Sequence, residues 1–197
     1  EETVRANMAQ VGVPEGAALS IVNARLSEHN ALYADYLYKR LQRFGFLHRD
    51  AQRLVNLDRN VFGACMVAMG QADGMVTGVT RNYATALDDV LKVIDPAPRE
   101  RVMGMSVILM KGRTLFISDT AVAEFPDPPE LAQIVLQSAA MARQFGVTPR
   151  VALISHSTFG NPKMERSEKI RDAVTLLDRR EDIDFEYEGE MNVDVAL

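Results

Sequence analysis

The stretch RVALISHSTFGNPKMERSEKIRDA, residues 150 to 173, decides how this chain is read. Its apolar run Val151, Ala152, Leu153 and Ile154 has the length of a buried strand and ends abruptly in Ser155-His156-Ser157-Thr158-Phe159-Gly160. Ile170, Ala173, Val174 and Leu177 then recur at spacings of three and four, which is one face of a helix. A strand that feeds a hydroxyl-rich, glycine-containing loop and then a helix sets several donors where α/β proteins hold anions and cofactors.

Working outward, Asp184 to Glu188 is the last strand candidate, and Glu186, Glu188 and Glu190 alternate as on a charge-protected, exposed edge strand. Upstream, Asp127-Pro128-Pro129-Glu130 begins a helix: Asp127 caps it, Pro128 suits the first turn and Glu130 is the acidic third residue. Leu131, Ile134, Val135, Ala139, Ala142 and Phe145 form its apolar stripe, and Gly146 ends it. Val102 to Met110 and Arg113 to Ser118 are strand-like runs joined by the turn Lys111-Gly112, with Asp119-Thr120 closing the second.

The first half is mostly helical. Residues 1 to 12 form a helix with Val4, Met8 and Val11 on one side and Glu1 and Glu2 at its positive end, stopped by Gly12, Pro14 and Gly16. Ala18 to Val22 is a short strand, and Asn30 to Phe44 a long helix whose Tyr33, Tyr36 and Tyr38 serve core or subunit contact. Asp50 to Val55 and Asn60 to Met69 are further helices. The segment from Gly70 through Asp73-Gly74 to Gly78 reads as turn and then strand at Met75-Val76. Thr80-Arg81-Asn82-Tyr83 leads into a helix over Ala84 to Val93, and Asp95-Pro96-Ala97-Pro98 breaks it. That break divides the chain into lobes 1–95 and 96–197, and the alternation of strands and helices makes it α/β with partly parallel pairing.

Composition narrows the chemistry. The 27 acidic residues outnumber 22 basic ones, and the Lys and Arg are scattered, so the phosphate-neutralising stripe of a nucleic-acid binder is missing. No apolar run reaches membrane-spanning length, and the opening EETVRANMAQ has neither the basic start nor the apolar core of a signal peptide, which points to a cytoplasmic setting. The single Cys65 lies in an apolar run and reads as a small buried hydrophobe. His29, His48 and His156 are too far apart in sequence to give metal-ligand spacing. His156 stands between Ser155 and Ser157, but neighbours on an extended segment point to opposite sides, which argues against a Ser-His dyad. The loop 155 to 160 and Arg81 at a helix start remain as candidate anion contacts.

Beyond those patterns the sequence resembles the phosphate acetyltransferase and butyryltransferase family. The likeness rests on MGQADGMVTG (69 to 78), SDTAV (118 to 122), ARQFGVTPRVALISHSTFGNP (142 to 162), SEKIRDA (167 to 173) and YEGEMNVDVAL (187 to 197). IVNARLS (21 to 27), YADYLYKRLQRFGFL (33 to 47), QRLVNLDRNVFGACMVA (52 to 68) and TRNYATALDDVLKVIDP (80 to 96) are similar, more narrowly, to the phosphotransacetylase-like C-terminal domain of bacterial multimodular NADP-dependent malic enzymes.

The resemblance implies a three-layer αβα, two-lobed fold of the isocitrate/isopropylmalate dehydrogenase-like kind, truncated at the C-terminus so that the first lobe is incomplete. It implies a parent chain that converts malate to pyruvate with NADP and Mg or Mn, none of whose catalytic part is present here. Family transferases use a Ser-Arg pair and an Asp from a C-terminal segment beyond this sequence, and a substrate-binding arginine of theirs falls at Asp88. The implied reading is a regulatory domain without catalytic or metal-binding residues of its own. It holds acetyl-CoA or a related effector through Arg40, Arg81, Asn82, Ser155, Ser157, Thr158 and Gly160. Its partners are the malic enzyme domain of the same chain and other copies of itself in a homo-oligomer, with no nucleic acid and no membrane. The alternatives are a working phosphate acetyltransferase, moving acetyl between acetyl phosphate and CoA, and a dimerisation scaffold.

Overall fold

Tyr33, Ala34, Leu37 and Leu41 recur at helical spacing, and all four are buried on one face of a single helix. The computed structural model describes residues 2–14, 18–119 and 121–197, so the expectations that rest on Glu1, Gly16 and Thr120 lie outside the described residues. The chain divides into two compact units, Glu1–Asp95 and Pro96–Leu197.

In the first unit the helices are α1 (Glu2–Gln10), α2 (Asn30–Leu41), α3 (His48–Leu57), α4 (Arg59–Ala68) and α5 (Tyr83–Leu91). Single 3-10 turns lie at Ala24–Leu26 and Gln42–Phe44. The long helix expected to reach Phe44 tightens after Leu41 and ends at Gly45, whose φ of 85° lies in the left-handed region that favours glycine. Asp58 caps α4 by accepting the amides of Asn60 at 2.8 Å and Val61 at 3.2 Å. The core joins the buried face of α2 to Val55 of α3, Val61, Phe62 and Cys65 of α4, and Val93. Tyr33 meets Phe62 edge-on with ring centroids 5.2 Å apart, so this tyrosine belongs to the core. Burial pushes the Cys65 thiol up to about 12, which keeps it protonated and inert.

Helix α1 forms as expected, and two strand expectations fail. Helix α1 buries no residue, and its apolar Val4 is exposed. Neither Ala18 to Val22 nor Met75-Val76 forms a strand. The apolar pattern of both is genuine, but no neighbouring strand is present among the described residues to take up their backbone groups.

The second unit contains β1 (Met105–Met110), β2 (Arg113–Ser118), α6 (Pro128–Gln144), β3 (Arg150–Ile154), α7 (Glu165–Asp178), β4 (Glu186–Met191) and the short α8 (Val193–Ala196). Strands β1 and β2 pair antiparallel around Lys111-Gly112, Met110 facing Arg113. Helix α6 starts as its sequence directs: the Asp127 carboxylate accepts the Glu130 amide at 2.8 Å, and Glu130 accepts the Asp127 amide at 3.0 Å. Its buried residues include Ile134, Val135, Ala139 and Ala142, whereas Phe145 is exposed and leans on the Phe116 ring. Strands β3 and β4 run parallel, joined through α7, and Leu153, Ala132, Val135, Ala173 and Leu177 close the core over them.

Gly189 permits the close approach of β4 to β3, because a Cβ there would lie 2.7 Å from Leu153 Cβ and 2.9 Å from its carbonyl oxygen. Neither atom can move without moving the strand. Gly189→Ala is therefore expected to lower stability by about 2 kcal/mol in urea denaturation. An unchanged midpoint would contradict this packing.

Candidate functional site

The hydroxyl-rich loop after β3 folds back over the end of β4. The Ser155 amide donates to the Met191 carbonyl at 2.8 Å and the Phe159 amide to the Glu190 carbonyl at 3.0 Å. Thr158 and Asn161 exchange backbone bonds at 3.1 and 3.2 Å, making a tight turn, and Thr158 Oγ1 accepts the Asn192 amide at 3.2 Å. These bonds close the loop around one side chain, the carboxylate of Glu190, which is 0% exposed.

Ser157 donates its hydroxyl to Glu190 Oε2, the Gly160 amide donates to Oε1 at 2.6 Å, and Arg171 Nη1 lies 2.9 Å from Oε1. With its single proton committed there, Ser157 can only accept from its other hydroxyl neighbours, Ser155 at 3.2 Å and Ser167. Ser155 and Ser167 complete the triangle at 2.9 Å. Gly160 has φ 89°, which a residue with a side chain rarely adopts, and this conformation aims its amide at the carboxylate. Burial alone would push the Glu190 carboxyl up, but the bonds from Ser157 and the Gly160 amide, with the Ser167 and Ser155 hydroxyls behind Ser157, outweigh it and bring it down to about 2. At neutral pH the group is ionised and a weak base, unsuited to activating Ser157 as a nucleophile.

Glu190 is therefore not the exposed edge residue its alternation with Glu186 and Glu188 suggests. Those two face solvent, Glu186 paired with Arg150 at 2.7 Å. The register then jumps, with Leu153 opposite Gly189 but Ile154 opposite Met191, so Glu190 is the extra residue of a bulge and turns inward. Ser167 and Arg171, four apart on α7, carried the only sequence signal that this helix presents a polar face to the loop. His156 is exposed on the loop.

In the first unit the predicted cations are also engaged. Arg81 lies between Asp58 and Asp89, at 2.7 Å from the latter. Asn60 Nδ2 reaches Asp89 at 3.3 Å, and Lys92 Nζ bridges Asp88 at 2.7 Å and Asp89 at 3.1 Å. Burial would raise the Asp58 carboxyl, yet the bonds from Arg81 and from the Val61 and Asn60 amides hold it below the usual range. Arg40 forks onto Asp95 with both contacts at 2.8 Å and donates Nε to the Lys92 carbonyl at 3.3 Å. Lys92 thus links Arg40 to Arg81, while Asn82 serves as the cap of α5, accepting the Thr85 amide at 2.8 Å. Arg40, Arg81 and Asn82 belong to one unit and Ser155, Ser157, Thr158 and Gly160 to the other. Among the described residues no group of three His, Cys, Asp or Glu side chains is placed to hold a metal ion, and no helix is long and apolar enough to cross a membrane.

Glu190→Gln, which leaves Arg171 facing a neutral amide, is expected to cost about 3 kcal/mol at neutral pH. A carboxyl lowered from 4.5 to about 2 contributes stability that is complete above 4.5 and lost as pH falls toward 2. The stability gap between wild type and Glu190→Gln should therefore narrow below about pH 4.5 in urea titrations. A gap that stays constant with pH would contradict the assignment.

Comparison with known proteins places these features. The family profile described as phosphate acetyl/butaryl transferase matches residues 1–197. The chain is similar to the NADP-dependent malic enzyme of Rhizobium meliloti, 54% identical over all of this chain and 26% of that protein. It is also similar to the probable NADP-dependent malic enzyme of Rickettsia prowazekii, 47% identical over 92% of this chain and 25% of that one. The chain thus spans about a quarter of the length of these relatives. Among solved structures, the EutD phosphotransacetylase from Staphylococcus aureus superposes with a TM-score of 0.81 at 27% identity, over all of this chain and 60% of that one. With its α/β architecture, its parallel β3–β4 pair and a family match along its whole length, the chain belongs to the phosphate acetyl/butyryl transferase family.

Proposed function

We propose that the chain is the regulatory, acetyl-CoA-responsive phosphotransacetylase-like domain of a malic enzyme, binding its effector without transferring the acyl group. The parent protein oxidises malate to pyruvate and CO2 with NADP and Mg or Mn, in an oligomer to which this domain contributes contacts. Among the described residues no group of His, Cys, Asp or Glu side chains is placed to hold a metal ion, and no step of malate oxidation is assigned to them.

The observation that carries this reading is the charge at Arg81. Three carboxylates, Asp58, Asp88 and Asp89, surround the two cations Arg81 and Lys92, leaving a net negative corner. By the family resemblance a transferase places a substrate-binding arginine at the position of Asp88. A carboxylate there repels the phosphate of acetyl phosphate at close range, where the transfer reaction needs it held. High identity to malic enzymes along the chain agrees with this departure from a transferase.

The test pairs calorimetry with a coupled assay on the chain and on the complete parent protein. Acetyl-CoA is expected to bind at about millimolar concentration or below, with no acetylation of CoA by acetyl phosphate. Acetyl-phosphate-dependent acetylation of CoA would favour the transferase reading instead. Absence of acetyl-CoA binding, together with loss of oligomers when the domain is deleted, would leave a scaffold.

A further inference from the structure

Asp95, Pro96, Ala97, Pro98, Arg99 and Glu100 carry the chain from the first compact unit into the second, and every one of them is exposed. Exposure at a unit boundary is the mark of a loose linker. The bonds made here are those of a tight one, because each end is clamped by a helix of its own unit.

On the first side the clamp is α2. Tyr36 and Arg40 stand four apart on one face of it, with the Arg40 guanidinium 5.9 Å from the centre of the Tyr36 ring. Tyr36 donates its hydroxyl to the Val93 carbonyl at 3.1 Å, and Arg40 donates Nε to the Lys92 carbonyl at 3.3 Å. The same guanidinium forks onto both Asp95 oxygens, each at 2.8 Å. Val93 is itself buried in the core, so the chain is fixed to α2 as far as Asp95.

On the second side the clamp is α6. Glu130, Gln133 and Gln137 recur at spacings of three and four and form one stripe along it. Gln133 donates Nε2 to the Arg99 carbonyl, Gln137 donates Nε2 to the Arg101 carbonyl at 3.1 Å, and Glu130 pairs with Arg101 at 2.6 Å. Residues 97 to 100 also close a turn, the Glu100 amide donating to the Ala97 carbonyl at 2.9 Å. Pro98 is second in this turn and Arg99 third, with a φ of 67°, which is the pattern of a type II turn. Glycine is the usual residue at that third position, and the bond from Gln133 helps to hold an arginine there.

Between the two clamps lie only Pro96 and Ala97. The proline ring fixes φ of Pro96, and Asp95 and Ala97, each preceding a proline, are kept out of the helical region. What freedom remains is ψ of Pro96 and the extended range of Ala97.

From this pair of clamps we propose that Pro96 and Ala97 form the joint between the two units, and that Arg40 and Gln133, by holding its two ends, keep bending within it. The joint is separate from the loop at 155 to 160 and does not depend on the regulatory reading above.

The test places spin labels on Lys39→Cys of α2 and Lys169→Cys of α7, both exposed, while Cys65 is buried. Distance distributions are measured by double electron–electron resonance in this background and after Asp95→Ala, Gln133→Glu or Pro96→Gly. Arg150→Gln, which breaks the exposed pair with Glu186, is the control, and thermal melts check folding. Each of the three changes is expected to broaden the distribution to about twice its width, and the control to leave it unchanged. Hydrogen exchange is expected to quicken about fivefold at residues 93 to 95 in Asp95→Ala and at residues 99 to 101 in Gln133→Glu. The proposal is overturned by any of three results: widths that ignore Asp95 and Gln133, equal broadening in Arg150→Gln, or unchanged exchange at both ends of the joint.

Discussion

The buried carboxylate of Glu190 is the constraint on which the organisation of the second unit rests. An ion taken out of water must be repaid in hydrogen bonds, and here the Ser157 hydroxyl, the Gly160 amide and the Arg171 guanidinium bind it, with Ser155 and Ser167 bonded behind Ser157. Those partners come from the loop after β3 and from α7, while the carboxylate comes from β4. The group therefore ties strand, loop and helix at one point, beyond what the small core of Leu153, Ala173 and Leu177 supplies. It also determines the loop's chemistry, since a ligand anion arriving at Ser157 and Gly160 would meet a negative charge already in place.

The first unit repeats this theme with different residues. Arg81 and Lys92 would attract an anion if left alone, but Asp58, Asp88 and Asp89 engage them. Arg40 is engaged in the same way by Asp95. Cations that could otherwise attract an anion are partnered here by the chain's own carboxylates. By contrast, the guanidinium groups of Arg25, on the turn Ala24–Leu26, and Arg53, on α3, have no such partner among the described residues.

Much of the fold was legible because its signals are local. The capping box at Asp127 and Glu130, the Lys111-Gly112 turn and the stripe of α2 each follow from residues within a few positions of one another. What sequence could not give depends on partners far along the chain. The run Ala18 to Val22 has strand composition, but a strand exists only where another offers its backbone. The inward turn of Glu190 comes from a single-residue register jump against β3, which no alternation pattern within β4 reveals. The loop at 155 to 160 was recognised as a place for an anion. That the nearest anion is a residue some thirty positions later was written only in the tertiary structure.

The central claim is that Glu190 is an ionised, internally satisfied carboxylate occupying the loop. It is tested most directly by following the Glu190 side-chain carboxyl carbon by NMR as pH is lowered, with the resonance assigned through Glu190→Gln. The account predicts no titration through the ordinary carboxylate range and a midpoint near 2 if the fold persists that far, or titration only with unfolding if it does not. A midpoint at or above 4.5 in the folded protein would contradict it.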